Sequence, residues 1–226
     1  VTFVRTALLV LKKDFAIELR SYEIVSTTVF FALSCVAIFS FAFVKDGQAP
    51  EGAASGILWI AIAFSGTLAL GRTFERERYG DTLRALLLAP APRPAIYVGK
   101  LLGIVALLLS TEIVLVPLVA FFFQARFFAE PLLLAGLLGL GTLGFASVGT
   151  LFAAMLVRAR TRDVLLPILL YPVTIPVIIA GVLGTGALLQ SPPDRPVATL
   201  WLSLLAFFDV VFITLSLWTF EPLMTE

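Results

Sequence analysis

The chain contains no histidine. That absence removes the commonest general base, zinc ligand and haem axial ligand together, and with them any serine nucleophile that depends on a histidine base. Cysteine is nearly as scarce: the single Cys35 lies inside an apolar stretch, where this chain alone can build neither a disulfide nor a multi-cysteine metal site. Cys35 therefore reads as a packing residue. Charge is thin as well, at 14% of residues and a net +1. The basic residues stand beside apolar stretches and form no separate patch or tail, which argues against nucleic acid as a partner. No G-x-x-x-x-G-K-[ST] sequence occurs; Gly99-Lys100-Leu101 has the wrong third residue and no glycine-rich loop before it. Neither an enzyme active site nor a bound ATP, metal or other cofactor is expected on this chain.

Long polar stretches are missing too, because 60% of the residues are hydrophobic and the mean hydropathy is +1.04. Six apolar stretches reach or approach the ~20 residues that span a hydrocarbon core: about 24–44, 55–72, 96–123, 132–157, 164–189 and 198–220. Little chain remains for a soluble domain. The expected fold is a single all-α integral membrane domain over 1–226, with six transmembrane helices. The basic N-terminal residues are followed by no short apolar region with a small-residue cleavage site, so no removable signal peptide is expected.

Residues 3–20 place Leu8, Leu11, Phe15 and Leu19 near one face and Lys12, Lys13, Asp14, Glu18 and Arg20 on the other. This pattern predicts an amphipathic helix lying in the membrane interface. Six spans put both chain ends on one side, and the cations choose the side. Thirteen of the sixteen Lys and Arg residues fall in the N-terminal segment, the link after the second span and the link after the fourth; only Lys45, Arg126 and Arg195 fall opposite. By the positive-inside rule those three segments and both termini are expected in the cytoplasm.

The longest interruption of the apolar pattern is RTFERERYGDTLRALLLAPAPRPAIYVGK, from Arg72 to Lys100. Arg72, Glu75, Arg76 and Tyr79 recur at helical spacing, so the second span should continue into water as far as Gly80. Asp81 is placed to cap a second, short helix in which Leu83, Leu86 and Leu87 share one face. The prolines at 90, 92 and 94 end that helix, although Pro94 can begin the next. A stiffly held apolar helix at the membrane surface is a docking knob; the competing reading is an ordinary solvated loop whose charges set topology.

Two carboxylates fall inside spans, Glu112 in the third and Asp209 in the sixth, with no Lys or Arg at matching depth. Such acids mark proton pathways, or they are neutral groups bonded to hydroxyls such as Ser110, Thr111 or Thr214; a proton-coupled carrier would need the former. The fourth span is rich in glycine, with small residues four apart at Ala135 and Gly139 and at Gly149 and Ala153, which predicts a central helix or a subunit contact. In the fifth, Pro167, Pro172 and Pro176 predict a kink, and Gly181, Gly184 and Gly186 should loosen its outer end. Its final stretch, LGTGALLQSPPDRP, either turns back into the outer leaflet or forms a plain loop.

Three segments carry a family resemblance: residues 56–102 (GILWIAIAFSGTLALGRTFERERYGDTLRALLLAPAPRPAIYVGKLL), 138–156 (LGLGTLGFASVGTLFAAML) and 165–181 (LLPILLYPVTIPVIIAG). Over nearly its whole length the chain resembles the membrane permease family of the bacterial cytochrome c maturation system, known as haem exporter protein B. The LLLAPAPRP segment and the YPVTIP proline pattern are its most specific parts. The resemblance implies an exporter-type ABC permease of the inner membrane, present as two copies with two cytoplasmic ATPase subunits that hold ATP and Mg. It also implies a haem-handling membrane subunit, a small accessory membrane subunit and a periplasmic haem chaperone as partners, with haem handled by the complex. Asp81 to Leu88 would be the coupling helix seated in the ATPase, so that Asp81, Leu83, Arg84, Leu86 and Leu87 contact it, with Glu75, Arg76, Glu77 and Arg78 in the charged extension beside them. The N-terminal interface helix would be the family's connecting helix. An ABC permease for another substrate, such as a lipid or polysaccharide, and a non-conducting scaffold of the haem-handling complex would share this plan.

Overall fold

The computed structural model describes residues 2–44, 50, 52–79, 92–156, 159 and 161–223, with 74–79 and 221–223 as backbone only. Among them are seven α-helices: α1 (Phe3–Ser21), α2 (Glu23–Phe43), α3 (Ala53–Tyr79), α4 (Arg93–Phe123), α5 (Pro131–Met155), α6 (Arg162–Leu189) and α7 (Arg195–Leu223). A single 3₁₀ turn, Phe127–Ala129, leads into α5. Six helices, α2 to α7, are long and apolar enough to cross a membrane, and they fall on the six expected spans. The chain is an all-helical, multi-pass membrane protein.

Helix boundaries follow local chemistry. Tyr22, in the left-handed region at φ 50°, closes α1 and opens α2, and one carboxylate oxygen of Glu18 accepts the backbone N–H groups of Ile24 and Val25 at 2.9 and 2.8 Å. A carboxylate on the otherwise unbonded N–H groups of a helix start is favoured by geometry and by the helix dipole. This elbow turns the chain from the surface-lying α1 into the first span. Helices α4 and α5 open with proline in their first turn, where the missing N–H has no partner to lose.

The buried centre is α5, which packs most extensively on α7 and α6 and also touches α3 and α4. Its glycines explain the placement. A Cβ on Gly141 would lie 2.1 Å from the Trp59 ring and one on Gly149 would lie 2.3 Å from Leu70, so only a hydrogen lets α3 approach this closely. Gly139, in contrast, faces open space, so the Ala135 and Gly139 pair is not the contact. Trp59 is held between α5 and α6, because a Cβ on Gly181 would clash with it at 2.2 Å, and its indole N–H donates to Thr185 at 3.0 Å.

Two expectations for the fifth span change. Gly181 and Gly184 do not loosen the end of α6; they make room for Trp59 and Leu137, and the helix runs unbroken through its three prolines to Leu189. The stretch after it does not turn back into the bilayer. A short link follows, in which the Asp194 N–H returns to the Ala187 carbonyl at 3.0 Å and Arg195 begins α7. Cys35 is free, half-buried and packed against the apolar core, as a packing residue should be.

Candidate functional site

The end of the bundle that carries α1 gathers most of the described ion pairs. Helix α3 continues past its apolar part to Tyr79, so the expected helical extension is present, with Glu75, Arg76, Glu77 and Arg78 on its last turns. Asp81, Leu83, Arg84, Leu86 and Leu87 lie outside the described residues. Three contacts tie the root of this extension to other helices. Arg72 meets Glu23 of α2 at 3.4 Å. One residue earlier, the Gly71 carbonyl accepts a 2.6 Å hydrogen bond from Arg162, the first residue of α6. Arg162 is only 4% exposed and pairs loosely with Asp163 at 3.7 Å, so its guanidinium is buried chiefly to hold α3.

The third contact involves Lys100, which the sequence presents as one more cation of the surface link. Its side chain is 3% exposed and its ammonium lies 2.8 Å from Asp14 of α1, a carboxylate that Lys13 also approaches at 3.2 Å. Helix α1 thus docks on α4 through Ala7 and Val10, which press on Gly99, and through the Asp14–Lys100 pair. Leu8, Phe15 and Leu19, expected on its apolar face, stay exposed on the bundle's flank.

The intramembrane acids have different surroundings from those expected. Glu112 takes its hydrogen bond from Thr142, one helix away on α5. Ser110 and Thr111 instead bond to the Leu107 carbonyl, and Thr214 to the Val210 carbonyl. A hydroxyl on the same helix is satisfied by the carbonyl a turn earlier, which leaves only a neighbouring helix to serve the acid. Asp209 is buried against α5, with one carboxylate oxygen 2.6 Å from where a Cβ on Gly144 would stand. Neither of its oxygens has a hydrogen-bond partner among the described residues. Gly144 and Thr142 place both acids against α5 from opposite neighbours, yet the structure does not join them into one site.

No group of three or more potential metal-ligating side chains occurs among the described residues. What this architecture offers is a mechanical junction, an extended helix whose root is bonded to its neighbours. The family profile described as CcmB protein matches residues 5–222. The chain belongs to the CcmB family. Similar proteins include heme exporter protein B of Pseudomonas aeruginosa, 30% identical over 192 residues that cover 81% of each chain. Heme exporter protein B of Rhodobacter capsulatus is 30% identical over 173 residues, covering 76% of this chain and 78% of that one. The Haemophilus influenzae protein of the same name is 27% identical over 170 residues, covering 75% and 76%.

Within this CcmB chain the sequence reading missed Arg162, Lys100, Asp14 and Thr142 as partners. Each lies far along the chain from the group it bonds, and spacing along one helix carries no trace of it. One signal was present for Arg162: a cation immediately before an apolar span that already had two others nearby.

Proposed function

We propose that the chain is the membrane permease subunit of an ATP-driven ABC complex in bacterial cytochrome c biogenesis. Membership of the CcmB family across residues 5–222 carries this reading. The heme exporter name of its relatives supports haem as what the complex handles. The helical extension of α3 to Tyr79, bonded at its root to α2 and α6, supports the link that follows as the ATPase contact.

In this reading the chain binds no nucleotide; ATP and Mg sit on the cytoplasmic ATPase, and two permease copies pair in the inner membrane. A coupling helix from Asp81 to Leu88 seats in the ATPase, with Leu83, Leu86 and Leu87 as its apolar face and Glu75 to Arg78 beside it. Closure of the ATPase pair pushes this knob. The Gly71–Arg162 hydrogen bond passes the push to α6, and the Arg72–Glu23 pair passes it to α2. The result is haem delivery, or release of a haem-loaded periplasmic chaperone, in concert with a haem-handling membrane protein and a small accessory one. The N-terminus, the 72–100 link and the C-terminus face the cytoplasm, as the distribution of cations supports.

The test is covalent haem staining of a periplasmic c-type cytochrome in a bacterium lacking its own permease, supplied with this chain and its cognate partners. Staining that requires an intact ATPase is expected. No staining from an inserted chain bound to its full cognate set would move the assignment to an ABC exporter of another substrate. Tracer flux in proteoliposomes then separates conduction from release of the chaperone.

A further inference from the structure

We propose that the cleft between α1, the start of α2 and the first turns of α4 is a binding site for one zwitterionic glycerophospholipid, with an acyl chain between the helices and the headgroup at the charged rim. The cleft encloses about 340 Å³, within the range of small-molecule sites, about 300–1,000 Å³. Along α4 its wall runs from Lys100 to Ser110, about 15 Å at 1.5 Å per residue.

Two glycines one turn apart show that the space is held open. At Gly99 an added Cβ would lie 2.7 Å from the Ala7 carbonyl oxygen and 2.8 Å from the Val10 side chain, so there α1 and α4 are in contact. At Gly103 the nearest atoms, on Asp14 and Leu11, are 3.8 Å away. The helices touch at the first glycine and diverge at the second. Below it Ala106 keeps the wall of α4 thin, and Ile24 and Val25 of α2 face it across the gap. A wall this apolar, beside a helix whose Leu8, Phe15 and Leu19 are exposed, suits a hydrocarbon chain entering from the bilayer.

The rim selects the headgroup. It carries two cations, Lys13 and Lys100, and two anions, Asp14 and Glu18. The fold holds these charges in place: Lys100 is buried against Asp14, and Glu18 is fixed by the start of α2. A phosphate flanked by an ammonium matches this balanced set. An anionic headgroup without the ammonium would leave its phosphate facing two carboxylates with no cation of its own to offer them.

The experiment uses the full chain in nanodiscs containing phosphatidylethanolamine with a diazirine at the acyl terminus, followed by illumination and peptide mapping. Adducts are expected to concentrate on residues 103–110 and to be competed by unlabelled phosphatidylethanolamine about tenfold more effectively than by phosphatidylglycerol. Ala106→Phe, which fills the cleft, should cut those adducts about tenfold while labelling at the outward-facing Ile113 and Phe121 stays unchanged. Val25→Trp fills it from the opposite wall and should do the same if the first variant does not fold. Adducts no denser at 103–110 than at Ile113 and Phe121, or insensitive to both substitutions, would overturn the site. So would their absence from 103–110, as a second copy of the chain seated in the cleft would produce. Equal competition by phosphatidylglycerol would overturn the zwitterionic headgroup.

Discussion

Thr142 donates its hydroxyl to Glu112 across the boundary between α4 and α5, and this bond sets the role we assign to the acid. A buried carboxyl served by a single hydroxyl on the next helix works as a clasp between two spans. Interhelical hydrogen bonds of this kind contribute about 0.6 kcal/mol on average and up to about 1.7. Thr142→Val should therefore lower stability by about 0.5–2 kcal/mol in thermal unfolding in detergent, whereas Thr142→Ser should keep it. Glu112→Gln preserves an acceptor for Thr142 and removes the exchangeable acid proton. Cytochrome maturation near the wild-type level is expected for that variant; loss of maturation from a chain that still folds would make Glu112 a proton relay. Sequence alone exposed the acid, since a carboxylate inside an apolar run stands out. It misplaced the hydroxyl, because Ser110 and Thr111 are near in the chain but already occupied by their own helix.

At the scale of elements, two features decide how helices meet. The first is the glycine notch on α5 and α6 that receives Trp59. Gly141→Ala forces a methyl group to within about 2 Å of the indole, and overpacking of this kind typically costs about 1–3 kcal/mol. Gly139→Ala, two residues away and facing open space, should leave the thermal midpoint in place or raise it slightly. The paired measurement separates a notch from a general tolerance of glycine in membrane helices. The glycine-rich pattern marked α5 as central, and its burial agrees, but the pattern did not say which glycines matter. The second feature is the helix that leaves the bilayer as α3. Asp81→Arg combined with Leu86→Asp places charge on the proposed ATPase contact. We expect an inserted chain that no longer co-purifies with the ATPase and loses ATP-dependent maturation, and wild-type co-purification would remove the coupling assignment. The helical extension to Tyr79 was legible because its charges recur at helical spacing. The bonds at its root were not, since Gly71 contributes a backbone carbonyl and Arg162 lies ninety-one positions away.

The whole molecule is a bundle of six spans with α1 docked along one end. Its orientation rests on the cations, thirteen of sixteen of which fall on the side of α1. With Cys35→Ala as background, Phe128→Cys should react with a membrane-impermeant maleimide on intact cells, while Thr2→Cys should react only after the membrane is opened. Both positions are exposed, so the contrast reports sidedness and not burial. The reverse labelling would invert the assignment and move the proposed ATPase contact out of the cytoplasm.

By itself the sequence determined the class of the protein, the six spans and their limits, the amphipathic α1 and the helical extension of α3. All of these depend on periodicity and on hydrocarbon thickness, which act within a window of about twenty residues. The segments that carry the family resemblance are likewise contiguous and can be read without coordinates. Tertiary structure alone decided that Lys100 is buried against Asp14, that Arg162 holds the Gly71 carbonyl, that Thr142 serves Glu112, and that α1 touches α4 at Gly99 and parts from it at Gly103. The physical reason is common to all four. In a bilayer every span is apolar, so composition hardly distinguishes one neighbour from another, and the choice rests on which small residues let two backbones meet and which buried polar groups find each other there.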